Sequence, residues 1–164
     1  MTAFEHAVAF VLDHEGGLVE NPVDPGGLTN HGISQRAYPT LDIRALTREQ
    51  ATELYRVDYW LACRCNDLPP AVAILVFDAA VNQGSATAAK LLQRALDVSD
   101  DGVIGPATLA RANAAPIDMV VVRFTSRRIQ RYVEGRGYVT FGAGWITRAL
   151  ECALAAHDLA REAS

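Results

Sequence analysis

Lysine is all but absent from this sequence. Lys90 stands alone, and the remaining positive charge is carried by arginine. That charge is also outweighed, leaving a net charge of −4. A protein that grips phosphates normally shows a basic surplus, so nucleic acid is not an expected partner. No apolar run is long enough to cross a bilayer, so no membrane span is expected. The opening MTAFEHAVAF has no basic start and carries Glu5 early, unlike a secretion signal. The expectation is a protein kept in the cytoplasm until another system releases it. Cysteine is scarce, with only Cys63, Cys65 and Cys152. An odd number that includes a C-x-C pair makes no secreted disulfide framework, and buried free thiols are expected ahead of a metal or redox role.

What is present is a chain of 164 residues with 50% hydrophobic content, enough to bury a core without staples. No repeat or linker divides it, so residues 1–164 are expected to form one domain, with a front segment 1–68 and a helical region 69–164 packed into the same globule. Thr2 followed by Glu5 is a capping box, and Phe4, Val8, Val11 and Leu12 fall on one helical face before Gly16 and Gly17 end the run. Thr47 and Gln50 open a second capped helix running toward Trp60. Pro69 and Pro70 open PPAVAILVFDAAVNQG, whose apolar residues nearly encircle it. That pattern predicts a central buried helix at 70–83. Two longer helices, roughly 117–134 and 145–162, are expected to be joined by the glycine-rich EGRGYVTFGAGW. The sum is a mainly α, α+β fold of about six to eight helices, with a small irregular or β-hairpin lobe at 17–33.

That lobe holds the stretch DHEGGLVENPVDPGGLTNHGIS. Glu15 closes the first helix, where unpaired carbonyls carry a partial negative charge that opposes ionisation. The effect reaches about 0.3–1 kcal/mol at an exposed end and ~2 kcal/mol when partly buried, so it raises a carboxyl pKa by at most about one unit. Partial burial has to supply the rest before Glu15 becomes a proton donor near neutral pH. Asp24 lies among Pro, Gly and Asn in a polar setting where a carboxylate stays ionised. Two carboxyls in opposed environments are what glycoside hydrolysis uses, with Thr29 able to hold a water between them. The same residues also serve turn chemistry, and that reading stays open.

Other local patterns stop short. HEGGL begins like H-E-x-x-H, but Leu18 stands where the second His belongs. DVSDDGVIGPAT begins like a calcium loop and places Thr108 where a bidentate Glu is needed, which points to a structural turn. No phosphate-binding loop is found, and neither metal nor cofactor is expected. Asn82 and Gln83 end the central helix, where their amides could bond N-acetyl groups and Gly84 would allow close approach; a plain polar helix end fits equally. Tyr55, Trp60 and Trp145 are either core aromatics or sugar-stacking faces. Asp78, inside the apolar helix, is expected to pair with Arg123, Arg127 or Arg148. A surface arginine face of Arg123, Arg127, Arg128 and Arg131 could attract an anionic partner.

The run EGGLVENPVDPGGLTNHGIS closely resembles the signature of glycoside hydrolase family 108, a family of phage endolysins and prophage muramidases. FDAAVNQG, LLQRAL, DGVIGPATL and FGAGWITR are similar to its later blocks in the same order, the rear half resembling the family's peptidoglycan-binding region. The resemblance implies a lysozyme-like fold and an N-acetylmuramidase acting on the peptidoglycan glycan strand. It implies Glu15 as the acid, with Asp24 and Thr29 as base and helper, although the spacing before Thr29 is one residue shorter than in phage-type lysozymes. Substrate contacts are expected from Asn82, Gln83, Gly84, His31, Tyr55 and Trp60. A monomer released through a holin pore to act on the wall in the periplasm completes the implied picture. The separation of the two carboxyls decides the stereochemistry, ~6.5–9.5 Å giving inversion and ~5–5.5 Å retention, with inversion the expectation. The alternatives are a non-catalytic peptidoglycan-binding or secretion-assisting protein on the same fold, and a lytic transglycosylase.

Overall fold

The computed structural model describes residues 1–20 and 27–162. Helix α1, Ala3–Glu15, starts at the expected capping box. The Thr2 hydroxyl accepts from the Glu5 N–H, and the Glu5 carboxylate accepts from the Thr2 N–H. These bonds occupy two of the donors that a helix start leaves unpaired. Three short strands follow, β1 (Val19–Glu20), β2 (Leu28–Asn30) and β3 (Ile33–Ser34), in one antiparallel sheet of order β1-β2-β3. Val19 faces Thr29 across the first pair, and Asn30 faces Ile33 across the second. His31 and Gly32 join β2 to β3 with φ of 50° and 77°. Positive φ at both central residues is the two-residue hairpin turn whose twist suits the flanking strands. Asn30 fastens this hairpin to the body, its buried Nδ2 donating to the carbonyls of Ile43 and Leu46.

Helix α2, Arg48–Tyr55, has the second expected capping box at Thr47 and Gln50. Its α geometry stops earlier than expected, and Arg56–Leu61 continues as a π-helical stretch. After a 3₁₀ turn at Cys65–Asp67 comes α3, Pro70–Gln83, with every residue from Ala71 to Ala80 buried. Helices α1, α4 (Ser85–Ala95), α6 (Ile117–Glu134) and α7 (Tyr138–Glu162) all pack on it, and α5 (Pro106–Ala114) completes the set. Phe77 of α3 makes edge contacts with Phe4, Tyr55 and Trp60, tying both halves of the chain into one hydrophobic cluster. The fold is the mainly helical α+β arrangement with a small β-hairpin lobe that the pattern implied.

The glycine-rich connector is a point of difference. Helix α7 begins at Tyr138, so most of the expected link is helical. Gly142 explains how: a Cβ there would fall on the Tyr138 ring, so glycine leaves room for that ring along the first turn of α7. Turn DVSDDGVIGPAT is held by the buried Gln93. Its Nε2 lies within hydrogen-bond reach of Asp101, Val103 O and Thr108, and its Oε1 accepts from the Gly102 N–H. Cys63, Cys65 and Cys152 are buried and unbridged, and burial pushes all three thiols above their ordinary range.

Candidate functional site

The buried face of α1, formed by Ala7, Val8, Val11 and Leu12, locks that helix on the core. Its last residue, Glu15, therefore emerges at the core's edge with a side chain 22% exposed. Two residues of α7 grip this helix end. Glu151 meets His14 Nε2 at 2.9 Å, and one turn earlier Arg148 Nη1 donates to Glu15 Oε1 at 2.7 Å. Glu15 Oε2 has no hydrogen-bond partner among the described residues.

The hairpin closes on Glu15 from the other side. A Cβ added to Gly32 would sit 2.8 Å from both Cβ and Cγ of Glu15 and would run into the Tyr55 hydroxyl. Tyr55 in turn donates from that hydroxyl to the His31 carbonyl at 2.9 Å. Glu15 is thus clasped between the turn of the β lobe and Arg148 of the helical body. Gly16 and Gly17 beyond it face open space, since a Cβ at either would meet no atom within 4 Å.

Behind Glu15 lies a buried ionic network. Asp78 is fully buried in α3, where an unpaired carboxylate would be strongly disfavoured. Arg128 Nη1 donates to its Oδ2 at 2.5 Å, and Arg148 Nε donates to its Oδ1 at 2.8 Å. Arg148 Nη2 is equally near Oδ1 but is not aligned for a hydrogen bond. Burial is the largest influence and works against the charge on both guanidinia, yet Asp78 together with Tyr132 and Cys152 at Arg128, and with Glu15 at Arg148, holds both above their ordinary range. Of the three partners expected for Asp78, only Arg148 is one. Arg123 instead reaches Asp97 at 2.5 Å, and Arg127 makes no ion pair among the described residues. Arg128, expected on a surface face, is the second partner. Helical phase decides this: Arg128 shares the buried stripe of α6 with Val121, Phe124, Thr125 and Tyr132, while Arg123 and Arg127 lie off it.

The network leads onward to an open groove. Arg128 Nε donates to the Tyr132 hydroxyl at 2.9 Å, and that hydroxyl donates to Asn82 Oδ1 at 2.7 Å. Asn82 and Tyr132, with Gln83, the end of α6 and Trp145 of α7, line a groove of about 470 Å³. The Oε1 of Gln83 is buried and lacks a hydrogen-bond partner. Glu15 does not itself line the groove. Trp145 lies one helical turn from Arg148 on the same face of α7, which joins the two regions.

Of the expected site residues, Asp24 lies outside the described residues. Thr29 is half-buried in β2, paired across the sheet with Val19 and Ser34. His31 is half-buried at the hairpin turn, and its recorded bond is through its backbone carbonyl. Asn82 and Gln83 border the groove, and Gly84 beside them is exposed. Tyr55 and Trp60 require correction as substrate contacts. Tyr55 is 1% exposed and props the hairpin, and burial pushes its phenol up. Trp60 is 3% exposed, packed on Phe4 and Phe77 with its Nε1 donating to Asn66, so neither ring offers a face to a sugar. Arg148's grip on Glu15, Tyr132 and Gly32 were missed. The sequence signals were the FGAGWITR block and the N-H-G-I turn, which give no distances.

No curated protein matches the chain. The family described as Glycosyl hydrolase 108 matches over residues 8–84, a span that runs from α1 through the hairpin to the end of α3. Among solved structures, SagA of Brucella abortus is similar at 34% identity and a TM-score of 0.87, with 96% of this chain and 95% of that chain covered. The clasped glutamate, the hairpin lobe and the helical body fall within these matches, and the chain belongs to the glycosyl hydrolase 108 family of peptidoglycan-degrading glycoside hydrolases.

Proposed function

We propose that the protein is an endolysin-type N-acetylmuramidase, hydrolysing the bond between N-acetylmuramic acid and N-acetylglucosamine with Glu15 as general acid. The observation that carries this is the division of labour between the two carboxyl oxygens. Oε1 is engaged by Arg148 at 2.7 Å while Oε2 has no partner among the described residues, beside the open backbone of Gly16 and Gly17. The proton on Oε2 passes to the glycosidic oxygen as the C1–O bond breaks and positive charge develops on the sugar. A water on the opposite face, held by Thr29 and deprotonated by Asp24, forms the new C1–O bond. Asp24 then gives up the proton taken from water and Glu15 regains one, both through solvent, and the anomeric configuration is inverted. Asn82, Gln83 and Gly84 bind N-acetyl groups of the strand. The protein works as a monomer, held in the cytoplasm until a holin-type pore releases it to the wall.

Digestion of purified sacculi followed by mass spectrometry tests this reading. Hydrolysis leaves hydrated reducing muramic ends. Anhydro-muramic ends would assign the protein as a lytic transglycosylase, and intact strands would make it a binder.

A further inference from the structure

We propose that the groove beside Trp145 is the seat of the acidic peptide that peptidoglycan carries on its muramic residues. The inference rests on the muramidase reading and adds which part of the substrate this groove takes. Where every lactyl carboxyl is amide-linked to a peptide the sugar strand itself is neutral, and the carboxylates sit on the peptide substituents. The groove is built for charge. Arg131 and Arg136 line it from the end of α6 and just beyond, and neither has an ion-pair partner among the described residues. Both are exposed, so they remain available to a ligand. Paired arginines elsewhere, such as Arg94 with Asp100 and Arg123 with Asp97, are already neutralised by acids of this chain.

Several features fix the ligand as a short acidic peptide. The volume of about 470 Å³ lies in the range of pockets that enclose a small molecule and exceeds what one carboxylate needs. Guanidinia are suited to bidentate contact with carboxylates. Glu134 lines the same groove, giving two cations and one anion, a set that accommodates a peptide with several carboxylates and a free amino group. Arg131 also borders two neighbouring hollows, one lined by Arg127 and the other by Lys90, so positive charge continues past the groove. This occurs on a chain whose net charge is −4, so the patch opposes the overall balance. Glu15 and the groove are linked by α7, where Arg148, which holds Glu15, and Trp145, which lines the groove, stand one helical turn apart. The peptide on a muramic residue at or beside Glu15 is the part of the substrate placed to enter it.

The test compares cleavage of peptide-bearing strands with the same strands after carbodiimide-driven amidation of their peptide carboxylates, using the intact protein and the R131Q/R136Q double variant. For the unaltered protein, kcat/KM on the untreated strands should exceed that on the amidated strands by roughly fivefold, the sum expected of two exposed guanidinium–carboxylate contacts. The preference should shrink as salt rises. It should fall toward unity in the double variant and return in R131K/R136K, which keeps the charge. Equal cleavage of both substrates by the unaltered protein, or a preference undiminished in R131Q/R136Q, overturns the proposal while leaving the muramidase reading intact. Cleavage of neither substrate would instead remove the muramidase reading itself.

Discussion

Gly32 and Glu15 share space that no other residue at position 32 could leave free. The backbone of Gly32 has φ of 77°, and an added Cβ would stand 2.8 Å from two carbons of Glu15. The acid's position is thus set jointly by a helix end and a hairpin turn sixteen to seventeen residues further along the chain. Gly32→Ala should cost about 1–3 kcal/mol in stability from left-handed strain and crowding. It should also depress wall cleavage beyond what the fraction unfolded explains. Denaturant unfolding together with turbidity clearing checks both, and a fully active Ala variant would show that the hairpin does not hold Glu15.

Asp78 binds two guanidinia in the core, and one of them is the partner of Glu15. Asp78→Asn leaves Arg128 and Arg148 buried with less than their compensating charge. The expected loss is about 3–5 kcal/mol, read as a lower urea midpoint. Arg148→Gln should be milder in stability but should lower kcat by roughly 100-fold through misplacement of the acid. A drop in KM alone, with kcat intact, would contradict that.

Acid stability should report the first capping box, whose N3 residue is the ionisable Glu5. The Thr2 N–H leads the contacts that hold the Glu5 carboxyl below its ordinary 4.5. A depressed folded value means the contribution is present above about pH 4.5 and is lost as pH falls through the folded value. The difference in urea midpoint between the unaltered protein and Glu5→Gln should therefore narrow from pH 6 toward pH 3. A difference that is the same at both ends would exclude an ionic contribution from this cap.

The thiols should be silent until the protein unfolds. Burial keeps Cys63, Cys65 and Cys152 neutral and out of reach, so a thiol reagent should modify none in the native state and all three in denaturant. Rapid native modification of Cys63 or Cys65 would indicate local opening near the 3₁₀ turn.

Much of the scaffold was legible in the sequence because it depends on local chemistry. Both capping boxes and the all-round apolar pattern of 70–83 come from neighbours in the chain, and each is found as expected. The start of α7 was not legible. Glycine lowers helix propensity, and only the packing of the Tyr138 ring over Gly142 shows why a helix survives there. The candidate site divides in the same way. Glu15 stood out as a charged residue before a glycine pair, whereas its partner lies 133 residues away and could not be chosen among many arginines. Trp60 and Tyr55 could not be told from sugar platforms because aromatics at helical spacing read alike whether they face solvent or Phe77. Arg128 differs from Arg127 only in helical phase, which becomes visible once the buried stripe of α6 is known.

The most direct measurement is wall cleavage by Glu15→Gln, a change that keeps the side chain's size and removes its proton-donating acid. The substituted protein should fold, with an unfolding transition near that of the unaltered protein, bind peptidoglycan, and clear permeabilised cells at least about 100-fold more slowly, the scale of rate lost with a general acid. Lysis at the original rate by a folded Glu15→Gln protein would contradict the central role given to this carboxyl.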